Sequence, residues 1–252
     1  MSNQKRVVIF LVISILLLAA FVFALEPSIN SLTFNATEIA NRTLANLTVY
    51  ASTSDPESDP VKLIYNWIRN GTSFSLANLP FEGGSNASWT RDYGNASRNG
   101  TVFGATWRSN RGFDGKGTYQ FDGSDDYVYI GNNLINLNTN FTIESWVNIS
   151  STTQNSYTIF GISQPTDPLN TGYALLIHRQ DQGGVTWQYD NGSSGTLFTN
   201  TPSSNLTANT TWYHVVLTRD ISNDSIKIYQ NGIEISNTNA VVLFAIEIYE
   251  CE

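Results

Sequence analysis

The chain of 252 residues has one cysteine, Cys251, so no disulfide can close within it, which excludes a cystine-stapled mini-domain. It has two histidines, His178 and His214. Neither has a metal-ligating partner at helical spacing, which argues against a zinc-type site. Cations are scarce as well: 13 Lys+Arg stand against 21 Asp+Glu, a net charge of −8. A nucleic-acid partner needs basic patches to neutralise phosphate, and this balance argues against one. A G-x-S-x-G elbow, a phosphate-cradling glycine loop and a dinucleotide fingerprint are all missing, which removes the commonest enzyme signatures. Charged residues are only 13% of the chain, while apolar residues are 41% and aromatics 12%. A sizeable core is therefore available, and the surface must rely on Asn, Ser, Thr and Gly.

Long apolar runs are confined to the N-terminus. Residues 2–6 are short and basic, and residues 7–25 are almost wholly apolar. That order is the order of a secretory signal, with Lys5 and Arg6 held on the cytoplasmic side. Val22-Phe23-Ala24 offers a cleavage site after Ala24. The same run also has the length to cross a hydrocarbon layer of about 30 Å as an uncleaved anchor helix. Either fate exports the rest, so the expected location is extracellular or at the cell surface. Membrane attachment would then come through the N-terminal segment, residues 1–25. Thirteen Asn-x-Ser/Thr acceptors, from Asn35 to Asn223, fit a glycosylated exported surface. Turn-rich composition also generates such triplets.

Beyond the N-terminus the chain reads as strands and turns. Residues 44–51 and 61–68 are expected strands, separated by the turn-rich DPESDP of residues 55–60. Val61, Leu63, Tyr65 and Trp67 fall on one face of the second, and Asn70-Gly71 closes it with a strong turn signal. This pattern resembles small immunoglobulin-like or polycystic-kidney-disease-like β modules, which implies a short β segment over residues 26–80, incomplete at that length.

The most informative stretch is residues 115–130, GKGTYQFDGSDDYVYI, followed by residues 141–149, FTIESWVNI. The first reads as strand, tight turn, strand. In the second, Phe141, Ile143, Ser145, Val147 and Ile149 share one face, and Thr142, Glu144, Trp146 and Asn148 share the other. Residues 212–235, WYHVVLTRDISNDSIKIYQNGIEI, add a hairpin pattern with an Asn231-Gly232 turn. Together these three segments resemble the laminin G-like, concanavalin A-like jelly-roll family, with its FDG…DYV turn, its FTIE-W-V strand and its W-H-V hairpin. The resemblance implies an all-β fold, an antiparallel jelly-roll sandwich over residues 81–252. It also implies a closing strand after residue 235, where this chain instead runs AVVLFAIEIYECE and stops. The expectation is a jelly roll truncated at its C-terminus.

Two sets of residues are candidates for a site. Asp122, Asp125 and Asp126 are the best oxygen-ligand cluster, with calcium as the candidate cofactor, since calcium takes several carboxylate and carbonyl oxygens; Asp92 is a weaker candidate. The competing reading is an Asx-type turn, in which Asp122 accepts backbone N–H bonds and Gly123 takes positive φ. Glu144 and Trp146 lie opposite the apolar face of their strand, so an exposed indole there could stack on a sugar ring; Trp187 with Tyr189 forms a second candidate platform. The alternative for Trp146 is that a neighbouring loop covers it. The concanavalin A-like fold also hosts glycosidases, whose E-x-D-x-x-E strand is absent here, and hydrolysis needs two carboxylates flanking one bond. The expected function is therefore a binding or adhesion module, not an enzyme, with carbohydrate or a surface protein as partner. The alternatives are an envelope spacer without a specific ligand and a glycosidase remnant.

Overall fold

The computed structural model describes residues 25–37, 46–94, 98–132, 134–136, 139–149, 156–163, 172–179, 184–190, 196–200, 211–223 and 225–235. Among these residues the chain is all-β and contains no helix, and no helix is long and apolar enough to cross a membrane. The expected N-terminal signal or anchor helix and the expected C-terminal truncation lie outside the described residues. Two compact units are present, Met1–Tyr65 and Asn66–Glu252.

In the first unit, β1 (Ser28–Ala36) pairs antiparallel with β2 (Leu47–Ser54). Leu32 lies opposite Ala51, Phe34 opposite Val49 and Ala36 opposite Leu47. Directly opposed residues point to the same side of an antiparallel pair, so these six make one apolar face. Leu32, Phe34 and Leu47 are 53%, 66% and 62% exposed. After β2, Asp55 Oδ1 accepts the backbone N–H groups of Glu57 and Asp59 at 2.9 and 3.0 Å, the Asx geometry expected of DPESDP. The strand expected over residues 61–68 does not form; only Ile68 enters a ladder. Alternation there marks a two-faced segment, but a strand also needs a neighbour whose edge is free to pair. Among the described residues of this unit the strands make one hairpin, and the immunoglobulin-like resemblance gains nothing further from it.

The second unit begins at Asn66, ahead of the expected boundary at residue 80. Asn66 Nδ2 donates to Tyr93 O at 2.7 Å, and Tyr93 N donates to Asn78 O at 2.8 Å, which ties residues 66–78 to the segment around Tyr93. Here β3 (Ile68–Arg69) and β4 (Thr72–Ser73) form a tight hairpin. Asn70 and Gly71 connect them at φ 51° and 79°, the left-handed pair that a two-residue turn demands. A three-stranded sheet runs β5 (Trp89–Thr90), β6 (Gly100–Phe103), β9 (Tyr127–Tyr129) in spatial order. Between the last two in sequence, β7 (Thr106–Arg108) pairs with β8 (Thr118–Gln120). The stretch read as strand, turn, strand over residues 115–130 therefore joins two different sheets instead of closing a hairpin.

Two four-stranded antiparallel sheets complete the unit. One holds β10 (Phe141–Asn148), β15 (Trp212–Asp220), β16 (Ser225–Gln230) and β17 (Ile233–Glu234) in that order. The other runs β11 (Ser156–Ser163), β12 (Gly172–Arg179), β13 (Gly184–Asp190) and β14 (Thr196–Asn200). Val215, Leu217, Ile226 and Ile228 of the first sheet form one core with Val185 and Trp187 of the second. Leu217, Ile228, Val215 and Val185 are fully buried, and each such side chain contributes about 1.5–3 kcal/mol. A smaller core gathers Val102, Ala105 and Tyr119 with Phe81, Trp107 and Val128.

Candidate functional site

The register of β10 and β15 sets the geometry of the outer face. Trp146 lies directly opposite His214, Glu144 opposite Val216, and Asn148 opposite Trp212. Along β10, Phe141, Ile143 and Val147 turn toward the core while Thr142, Glu144, Trp146 and Asn148 are exposed, as the alternation predicts. β15 alternates in step: Tyr213, Val215 and Leu217 are buried and His214 is half-buried. The outer face therefore carries Trp146, His214 and Glu144 side by side. Trp146 is 42% exposed. Its ring centroid stands 4.8 Å from that of His214 at an interplanar angle of 25°, and His214 Nε2 is 3.8 Å from Glu144 Oε2.

A third aromatic ring joins from the loop between β7 and β8. Phe113 stacks on Trp146 with centroids 3.4 Å apart and planes 11° from parallel. The loop is shaped by local bonds. Gly112 N donates to Lys116 O at 2.7 Å, Gly115 N to Gly112 O at 3.0 Å, and Lys116 Nζ meets Asp114 Oδ2 at 2.8 Å. Gly115 takes φ 75° at the tip, a conformation open to glycine at no steric cost. Burial pushes the Asp114 carboxyl upward, but the hydrogen bonds and charge of Lys116 outweigh it and hold the group below its ordinary range. Sequence reading missed Phe113, because the loop lies some thirty residues before β10 and nothing local announces the contact. His214 was visible as a strand residue, but only the register shows that it shares a face with Trp146.

The second platform does not form. Trp187 is 1% exposed and packs in the main core, with its ring centroid 6.2 Å from that of Phe141. β13 runs inside the sheet between β12 and β14, so the face carrying Trp187 is the one closed by the opposite sheet. Tyr189 lies in β13 opposite Tyr173 and Leu197, and its side chain falls outside the described residues. A different aromatic row is exposed instead: Phe103 stacks on Tyr127 at 4.6 Å and 17°, and Tyr129 stands two residues along the same strand. All three are between 43% and 50% exposed.

At the acidic turn, Asp122, Asp125 and Asp126 bring one carboxylate oxygen each within 4.8 Å of one another. Ser124 N donates to Asp122 Oδ1 at 2.8 Å, Asp122 N donates to Asp126 Oδ2 at 2.8 Å, and Gly123 sits at φ 83°. The Asx-type turn is thus present. The donors are hard anionic oxygens that suit calcium, and they supply three of the roughly six to eight ligands that ion takes. Asp92 is otherwise engaged: Oδ1 accepts the N–H groups of Asn78 and Gly94, and Oδ2 that of Arg98, each at 2.7 Å. It is buried and holds the opening loop together. Glu82, also buried, accepts the N–H of Gly117.

Two antiparallel sheets closed on one core, with an aromatic cluster on the outer face, define an antiparallel β-sandwich of the jelly-roll class. Residues 122–245 match the family described as the concanavalin A-like lectin/glucanases superfamily, of the laminin G group. The description covers lectins and glucanases alike. No curated protein and no solved structure matches the chain.

Proposed function

We propose that the protein is an exported, surface-associated binding module that takes neutral glycans on the outer face of β10 and β15. The observation behind this reading is the Trp146–His214–Glu144 cluster, which brings an indole, an imidazole and a carboxylate together at the surface of a jelly-roll sandwich. An indole face stacks on the apolar side of a pyranose ring, and the carboxylate and imidazole accept or donate to its hydroxyls. Glu144 faces His214, an arrangement suited to holding hydroxyls and unlike the carboxylate pair that glycoside hydrolysis requires. A glycan array separates this from the spacer reading. Binding to pyranose oligosaccharides is expected, weakened about two- to tenfold in Trp146→Ala; an array left blank by the wild type leaves an envelope spacer. Export has its own test: a cytosol-only reporter fused behind residue 60 is expected to be inactive, and full activity inside the cell overturns that part.

A second reading assigns the acidic turn to calcium, with Asp122, Asp125 and Asp126 as ligands. The approach of their oxygens within 4.8 Å favours it. Calcium would neutralise the turn and stiffen the link between β8 and β9. At a hundredfold excess over its dissociation constant the ion is expected to add about 2.7 kcal/mol of stability. A melting temperature indifferent to calcium and to chelator leaves the Asx turn alone.

A further inference from the structure

We propose that Phe113 is an intramolecular stand-in for ligand, occupying the one face of Trp146 that a sugar can reach, and so sets the affinity and selectivity of the site. The inference rests on Trp146 being the glycan platform. Phe113 and His214 are both near parallel to the indole, at 11° and 25°, with centroids 3.4 and 4.8 Å away. A ring centred over the indole at 3.4 Å leaves no room on that side for another at 4.8 Å, since their edges would overlap. The two rings therefore lie on opposite faces and Trp146 is sandwiched. Trp146 keeps 42% exposure between the two rings.

The two covers differ in how they are held. His214 belongs to β15, a strand paired on both sides with β10 and β16, and its backbone N–H donates to Asn231 Oδ1 at 2.9 Å. It is fixed in place by the sheet. Phe113 sits in a loop shaped by bonds among Gly112, Asp114, Gly115 and Lys116 and anchored at its end by the Gly117 N–H on Glu82, and Phe113 itself is 52% exposed. Swinging the tip away costs the stack with Trp146 and leaves the β7–β8 ladder intact. Ligand entry thus exchanges one aromatic stack for another, so only sugars offering a broad apolar face displace the ring.

The test compares full-length wild type, Phe113→Ala, Phe113→Leu and Phe113→Ala/Trp146→Ala on an array of neutral pyranose oligosaccharides, with acrylamide quenching of tryptophan fluorescence as a ligand-free readout. The expected result for Phe113→Ala is binding tighter by about two- to tenfold and to more glycans, a gain abolished by adding Trp146→Ala. Phe113→Leu keeps apolar bulk without a flat ring and should fall between. Quenching should rise in Phe113→Ala, and the rise should vanish in a Trp146→Phe background. Glycan binding that stays equal or weakens without Phe113, or quenching that does not change, overturns the inference while leaving the glycan reading in place. Arrays blank for both wild type and Phe113→Ala overturn the two together.

Discussion

β1 and β10 carry the same kind of pattern and meet different fates. Both alternate apolar and polar residues, SINSLTFNA in one and FTIESWVN in the other. In β10 the apolar set, Phe141, Ile143 and Val147, packs against a core shared with a second four-stranded sheet. In β1 the apolar set, Leu32 and Phe34, stays more than half exposed, and its hairpin partner adds Leu47 to the same open face. The difference shows that alternation says which residues share a face, while closure by a distant sheet decides whether that face is dry. A lone two-stranded hairpin is marginal in water, whereas the sandwich is stabilised across its whole interface.

The largest expected effect tests this contrast directly. Leu217→Ala empties a fully buried site and is expected to cost about 2–5 kcal/mol in chemical denaturation. Leu32→Ala, at a position 53% exposed, is expected to change stability by no more than about 0.5 kcal/mol. Comparable losses in the two variants would mean that the hairpin face is covered in solution, and the contrast would fail.

The same contrast explains what was legible in the sequence. The inward and outward sets of β10 were readable because period two is a local property, and the Asn70-Gly71 and Asn231-Gly232 turns were readable because left-handed φ has few takers. Trp187 was misread as a platform because a tryptophan on a short strand gives no sign of which side the opposite sheet will close. The non-strand fate of residues 61–67 and the split of β8 and β9 between two sheets depend on which edges are free, a long-range matter. Phe113 was invisible for the same reason. Of the proposed glycan site, Glu144 and Trp146 came from pattern, and the rings on either side of Trp146 came from register and loop placement.

A second probe sharpens the contrast by responding only inside a core. Tyr119 is buried in the smaller cluster, and its hydroxyl donates to Asn86 O at 2.8 Å, with Trp89 O at 3.0 Å sharing the proton. Burial raises its pKa above the ordinary tyrosine value, outweighing the hydrogen bonds from the Thr90 and Ser85 hydroxyls that pull the other way. A raised folded-state pKa contributes stability that is complete below the unfolded value, about 10. It is lost as pH rises from there through the folded value. Unfolding free energy of the second unit is therefore expected to decline above about pH 10, and Tyr119→Phe should flatten that part of the decline. An alkaline limb of equal slope in the variant would mean that another group carries it.

The smallest effect on stability is expected at Trp146, and its smallness is the point. Its ring lies outside the core, on the face opposite Ile143 and Val147, so its removal opens no cavity between the sheets. What Trp146→Ala forfeits is the stack on Phe113 and the stack on His214, each worth about 0.5–1.5 kcal/mol. Part of that is recovered because the Phe113 side chain regains rotamer freedom and the polar His214 ring hydrates. A net loss of about 1 kcal/mol is expected from denaturant midpoints. Ile143→Ala, on the inward face of the same strand three residues away, should cost more, about 2–5 kcal/mol at full burial and toward the lower end for a half-buried position. Equal losses at the two positions would make Trp146 part of the packing that holds the sandwich together. The smaller loss at Trp146 would mark a large aromatic kept at the surface at little benefit to stability, as a recognition surface requires.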